Sequence, residues 1–246
     1  LYSQMYDPTN NQREFKKFQY AHEGAVSVLF ATGPSLNDFD YSEIPDSPSV
    51  RAGVNSFIYQ DHYDLDYYFC SHDVSKEGPA HPHSDIEKSD PIREKIKSRS
   101  SDVQVFCRPQ RPGDAATFWT EEDTRYFNAV SYDITREAGK DAFATYLEYQ
   151  PLYNHSIIFP ALQFLLYTGV GKIYLVGCDC GGAASYLMPD EPRDDGGWGR
   201  EDLTVLRPHW EDFRSFIAEK YPRVEIISVN PRGLRGMFKD CGTHYE

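Results

Sequence analysis

No apolar run approaches the roughly 18 residues that a membrane-spanning helix needs, and no charged-then-apolar leader opens this 246-residue chain. A soluble, unsecreted protein is therefore expected, although the opening Leu1 leaves room for a trimmed leader or a further domain upstream. Cysteine is scarce: Cys70, Cys107, Cys178, Cys180 and Cys241 are five in number, scattered, and form no C-x-x-C pair. A disulfide framework is not expected, and a reducing, cytoplasmic location is, with peripheral association with a membrane left open. Positive charge is also short, with 25 Lys and Arg against 38 Asp and Glu and a net charge of −13. Such a chain repels polyanions at long range, which removes nucleic acid from the expected partners. An anionic small molecule would need a local cluster of donors. The nucleotide-binding glycine motifs G-x-x-x-x-G-K-[ST] and G-x-G-x-x-G are both missing, which argues against ATP hydrolysis and nicotinamide chemistry. Internal repeats and low-complexity tracts are absent as well.

The residues that are present describe a globular α/β chain. Hydrophobic residues make up 40% and aromatic ones 15%, carried mainly by 18 Tyr and 15 Phe, which excludes disorder. Short β-forming runs that stop at small or polar residues predict buried strands at Ala25 to Ala31, Val50 to Val54, Tyr67 to Cys70, Val103 to Cys107, Lys172 to Gly177 and Val224 to Val229. Helical periodicity predicts a buried helix over Ser156 to Gly169, stopped by Gly169. A second helix is expected to open at Pro208, with Trp210, Phe213, Phe216 and Ile217 on one face and Glu211 and Asp212 in its first turn. The aromatic-rich stretch 108–153 reads as a helical lid inserted over the sheet. The expected fold is a single Rossmann-like α/β domain over 1–246, with a mostly parallel sheet of roughly six or seven strands and helices on both faces.

In such a sheet, ligands gather outside the carboxyl ends of the strands. The turn Gly33-Pro34-Ser35-Leu36 lies at one such end, and its glycine would let free backbone N–H groups approach a phosphate. Asp179 follows the cleanest central strand. It is a candidate donor contact, or a metal ligand together with Asp190, Asp194 or Asp195. Arg232 and Arg235, after the last strand, are candidates for anion contact. Cys178 and Cys180 border the same edge. His72, Asp73, His81 and His83 lack the paired spacing of a structural zinc site, and no metal is assigned.

The segment Ala31-Thr32-Gly33-Pro34-Ser35-Leu36-Asn37, with Asp40-Tyr41 and Pro45 downstream, resembles the start of the bacterial family 42 sialyltransferases and of the related DUF115 group, which includes pterin pyrophosphokinases. Three later blocks follow in the same order: Val50 to Phe57 with Asn55, Gly169 to Asp179, and Pro208-His209 ahead of Val224 to Pro231. The resemblance implies a glycosyltransferase that moves a sugar, sialic acid-like in the family, from a nucleotide donor to a hydroxyl acceptor with no required cofactor. It implies that Gly33, Pro34 and Ser35 shape the nucleotide pocket, that Asn55 and Ser156 contact the donor, that His209 is the general base, and that Tyr186 steadies the departing phosphate. The unperturbed pKa of histidine, about 6.5, suits a base at neutral pH.

Thr32 and Ser71 stand where the sialyltransferases carry Asn, and Gly181 stands where a catalytic Tyr is expected, so the sugar is left open. A CMP-linked donor and a glycan or other hydroxyl acceptor are the expected partners, and self-association is open. The alternatives are a Mg²⁺-dependent pyrophosphokinase and a non-catalytic module that binds a nucleotide or a protein. Read without the resemblance, His209 is a histidine at a helix start, bonded to a neighbouring carbonyl and idle.

Overall fold

The computed structural model describes residues 12–33, 35–36, 39–61, 63–70, 95, 98–99, 103–107, 129–131, 134–135, 138–180 and 203–241. Its centre is an eight-stranded sheet in which every pairing is parallel. The strands are β1 (Val26–Phe30), β2 (Val50–Val54), β3 (Tyr67–Cys70), β4 (Gln104–Cys107), β5 (Ala129–Ser131), β8 (Lys172–Val176), β9 (Glu225–Val229) and β10 (Lys239–Cys241). A separate two-stranded pair joins β6 (Ile134–Thr135) to β7 (Leu152–Tyr153). The order across the main sheet is β10-β9-β8-β1-β2-β3-β4-β5. From β1 the chain thus builds outward in one direction to β5, then returns to build β8, β9 and β10 on the other side. Chain direction across the sheet reverses between β1 and β8, and that gap is the topological switch point where open parallel sheets bind ligands.

Side chains of the central strands alternate between two apolar layers, as the two-residue period of a strand requires. Leu29, Phe69, Phe106, Ile173, Leu175 and Ile226 face one layer. Val28, Phe30, Tyr68, Val105, Tyr174, Val176, Ile227 and Val229 face the other. Helices α1 (Ile158–Tyr167) and α2 (Leu203–Lys220) cover the first layer. Leu36, Ile44, Phe57, Ile58 and Leu65, partly carried by the 3-10 turn Asn55–Tyr59, cover the second. Arg99 pins that cover by donating to the carbonyls of Ile58 (3.1 Å) and Tyr63 (2.5 Å).

All ten residues of α1 are buried. A helix that is apolar all round belongs in a core, and with no side-chain cap at its start, packing holds it. Phe164 alone meets the rings of Phe15, Phe18, Tyr67, Phe69 and Phe106. Gly169 ends the helix in the left-handed region at φ +83.

Three expectations change. The sheet has eight strands rather than six or seven, because β5 and β10 are three-residue edge strands. The stretch expected to form a lid lies outside the described residues over 108–128; its described part supplies β5 at the sheet edge and, in Phe143, Leu147, Leu152 and Tyr153, core packed beneath α1 and α2. Helix α2 opens at Leu203, so Pro208 sits inside it rather than at its first position. An interior proline costs about 3 kcal/mol, which burial of Trp210, Phe213 and Phe216 offsets at about 1.5–3 kcal/mol each. Glu211 and Asp212 consequently lie mid-helix, where Glu211 pairs with Arg207 at 3.0 Å and Asp212 accepts from the Gly139 N–H at 3.1 Å.

Candidate functional site at the carboxyl edge of the sheet

At the switch point, the turns that leave β1 and β8 are tied together. The Ala31 N–H donates to the Val176 carbonyl and the Gly33 N–H to the Gly177 carbonyl, each at 2.8 Å. Asp179, only 5% exposed, accepts the Ser35 N–H on Oδ2 at 2.7 Å. Its own carbonyl accepts the Gly233 N–H at 2.8 Å, which draws in the loop after β9 that carries Arg232. Asp179 is thus the knot that joins three chain segments. Its second carboxylate oxygen, Oδ1, is buried and has no hydrogen-bond partner among the described residues. A buried carboxylate oxygen without a donor is costly, and such a group calls for an explanation.

Gly33 is needed here for close approach. A Cβ at this position would lie 2.4 Å from the Gly177 oxygen and 2.5 Å from Asp179 Oδ2. The turn amides expected to be free for a phosphate are spent within the protein: Gly33 and Ser35 donate as above, and the Leu36 N–H donates to the Gly33 carbonyl at 3.1 Å. Thr32 and Ser35 are buried beside them. Pro34 lies outside the described residues.

The ends of the neighbouring strands carry unusual backbone. Asn55 after β2, Cys180 after Asp179 and Asn230 after β9 all adopt positive φ, at 47, 46 and 48 degrees. Asparagine tolerates the left-handed region, whereas Cys180 is less usual there, and such conformations cluster at functional sites. Asn55 is half-buried, and its carbonyl accepts from the Tyr68 hydroxyl at 2.7 Å. Burial pushes the Cys178 thiol well above its ordinary value and the Cys180 thiol up to about 12, so neither is a ready nucleophile at neutral pH.

A second cluster stands at the same edge. The chain after β8 leads into α2 and α2 runs back to the start of β9, so its first half lies at the carboxyl ends of the strands; α1, which leads into β8, begins there too. His209 is on the first half of α2, and its Nδ1 lies 2.5 Å from the Tyr153 hydroxyl. The His155 ring stacks on it, with centroids 3.7 Å apart and planes 24° apart. Ser156 follows immediately, half-buried at the entrance to α1. Trp210, the next residue after His209, lies in the apolar cluster against which Cys180 packs and draws that thiol's pKa down against the effect of burial, which brings this cluster beside the Asp179 turn.

Tyr153 is fixed from behind. Gln163, fully buried on α1, accepts the Ala144 and Tyr153 N–H groups on Oε1 (2.8 and 3.1 Å) and donates Nε2 to the Tyr153 and Phe159 carbonyls, both at 2.9 Å. One amide thereby makes four bonds and pins both ends of the 144–153 segment against the helix.

The structure therefore brings Thr32, Gly33 and Ser35 in the turn after β1 together with Asp179 in the turn after β8, Ser156 with His209 in the second cluster, and Asn55 at the end of the adjacent strand. Arg232 and Arg235 are exposed on the loop that Asp179 anchors. Tyr186 and Ser71 lie outside the described residues, as do Asp190, Asp194, Asp195, His72, His81 and His83. Among the described residues no group of three or more His, Cys, Asp or Glu side chains could hold a metal ion. None of their helices is long and apolar enough to cross a membrane. Sequence reasoning missed Tyr153, His155 and Gln163. The Tyr153–His209 contact spans 56 positions, which no local pattern reveals.

No protein-family model and no curated protein matches the chain. Among solved structures it is similar to the sialyltransferase CstII in complex with trisaccharide acceptor and CMP, at a TM-score of 0.44 and 16% identity, covering 82% of this chain and 80% of that one. It is also similar to Campylobacter jejuni CstII in complex with cytidine-5′-monophosphate, at 0.44 and 16%, covering 84% and 80%. For that enzyme with the substrate analogue CMP-3FNeuAc the values are 0.43 and 15%, covering 83% and 79%.

Proposed function

We propose that this protein is a glycosyltransferase that takes a sugar from a nucleotide donor, CMP-linked in the first instance, and passes it to the hydroxyl of a glycan acceptor. The observation that carries the reading is the buried Oδ1 of Asp179 at the β1/β8 switch point, which has no hydrogen-bond partner among the described residues. A carboxylate there, held rigidly by the Ser35 N–H, is a preformed acceptor for a donor group on a nucleoside, such as a ribose hydroxyl or a base amine. The order of the residue blocks that resemble family 42 supports the same assignment. Thr32, Gly33 and Ser35 then shape the nucleotide side, with Asn55, Ser71 and Ser156 around the donor and Arg232 and Arg235 toward its phosphate.

In the proposed reaction the acceptor oxygen attacks the anomeric carbon of the sugar. The bond from that carbon to the phosphate oxygen breaks, and the acceptor's proton passes to His209 Nε2. The nucleoside monophosphate leaves with the electron pair, steadied by Tyr186. Charge is balanced without a metal ion, because the imidazolium forms as the phosphate gains its charge.

Thermal unfolding measured with CMP, UDP, GDP and ATP, each with and without Mg²⁺, tests this. CMP at about 100 times its Kd should stabilise the fold by about 2.7 kcal/mol, a rise of roughly 5–10 °C for a chain of this size, with or without Mg²⁺. A rise that appears only with ATP and Mg²⁺ would favour the pyrophosphokinase instead. A flat response to all four would contradict every nucleotide reading.

A further inference from the structure

We propose that Tyr153 is a positioning residue for His209, its hydroxyl oxygen accepting the imidazole Nδ1–H so that Nε2 is the basic nitrogen. The use of that base rests on the transferase reading; the pairing itself does not.

A tyrosine hydroxyl has one proton to give and two lone pairs, so the 2.5 Å contact is compatible with either direction of donation. The direction decides what His209 can do. If the hydroxyl donated to Nδ1, the neutral ring would carry its proton on Nε2 and could not accept one there. The surroundings favour the opposite arrangement. Burial, and then the nearby Asp212 charge, push the Tyr153 hydroxyl up to about 12, so it keeps its proton at neutral pH. Asp212 lies three residues beyond His209 on α2, on the same face of the helix. Its negative charge draws the hydroxyl hydrogen toward itself and turns a lone pair toward Nδ1. Asp212 is steadied by the Gly139 N–H at 3.1 Å.

The geometry leaves the ring little freedom. Tyr153 is 1% exposed, packed against Phe143 and Phe159, and its backbone is bracketed by Gln163. His155 covers the imidazole with its own ring at 3.7 Å. Tyr153 and His155 together select both the orientation and the tautomer of His209.

The test is the tautomer of His209, read from its two ring nitrogens by ¹⁵N NMR at neutral pH in the wild type, Tyr153→Phe and Asp212→Asn. The phenylalanine removes only the hydroxyl, and the asparagine can still accept from Gly139, so unfolding midpoints should stay close to the wild type. The expected result is a Nδ1–H ring in the wild type and a mixture of tautomers in both variants. In a transferase assay with a CMP-sugar, Tyr153→Phe should lower kcat by about tenfold or more with KM unchanged. A Nε2–H ring in the wild type, or an unchanged tautomer in both variants, would overturn the proposal. Should Tyr153→Phe fail to fold, Asp212→Asn decides alone. If the tautomers behave as expected while no nucleotide binds, the pairing stands and the transferase reading falls.

Discussion

Replacing Gln163 by Leu is expected to lower the unfolding free energy by about 3–5 kcal/mol, although the new side chain is similar in size and more apolar. The loss comes from what stays behind. The Ala144 and Tyr153 N–H groups and the Tyr153 carbonyl would remain in a dry interior without the partner they now have. Each orphaned group costs about 1–3 kcal/mol. The gain in apolar burial recovers only part of that total. Chemical denaturation gives the number, and a change under about 1 kcal/mol would mean that the amide does not hold the segment. Because the same bonds set the Tyr153 backbone, the variant should also disturb the contact between Tyr153 and His209.

Gly33→Ala is expected to cost about 3 kcal/mol, at the upper end for overpacking, and to lower the thermal midpoint by roughly 6–12 °C. A methyl group at Gly33 meets a backbone oxygen at 2.4 Å and the carboxylate of a buried Asp at 2.5 Å. Neither is the loose end of a flexible chain, so relief requires the β1 and β8 turns to separate and break the Ser35–Asp179 bond. Gly236→Ala is the control, with φ +72 and nothing within 4 Å of its added carbon. That variant carries only the backbone strain of about 1–2 kcal/mol. Equal losses at the two positions would show that the crowding at Gly33 is relieved easily.

The central strands were legible because each is a short β-forming run that ends at a small or polar residue, as with Phe30 before Gly33 and Val176 before Gly177. The three-residue strands β5 and β10 offered no such run: Lys239-Asp240-Cys241 shows no apolar pattern, and only pairing with β9 makes it a strand. Pro208 misled because proline favours helix starts, while burial of Trp210 and Phe213 tolerates it further in. Gly33 was expected to bring the backbone close to a phosphate. In the structure its close neighbours are the Gly177 carbonyl and the Asp179 carboxylate, and the adjoining Ser35–Asp179 bond spans 144 positions, which leaves no local trace. The same holds for the imidazole site, where His209 stood out only by resemblance and its tyrosine and histidine neighbours come from a distant segment.

Calorimetric titration of CMP into the wild type and into Asp179→Asn bears most directly on the site at the sheet's switch point. The asparagine oxygen can still accept the Ser35 N–H, but its amide group replaces with a donor the oxygen that has no partner among the described residues. The expected result is saturable binding by the wild type and affinity about 10–100-fold lower in the variant, the worth of one hydrogen bond to a charged group, with the two unliganded proteins similarly stable. Equal affinity in both proteins, or no binding to the wild type, would contradict the assignment of this edge as the nucleotide site.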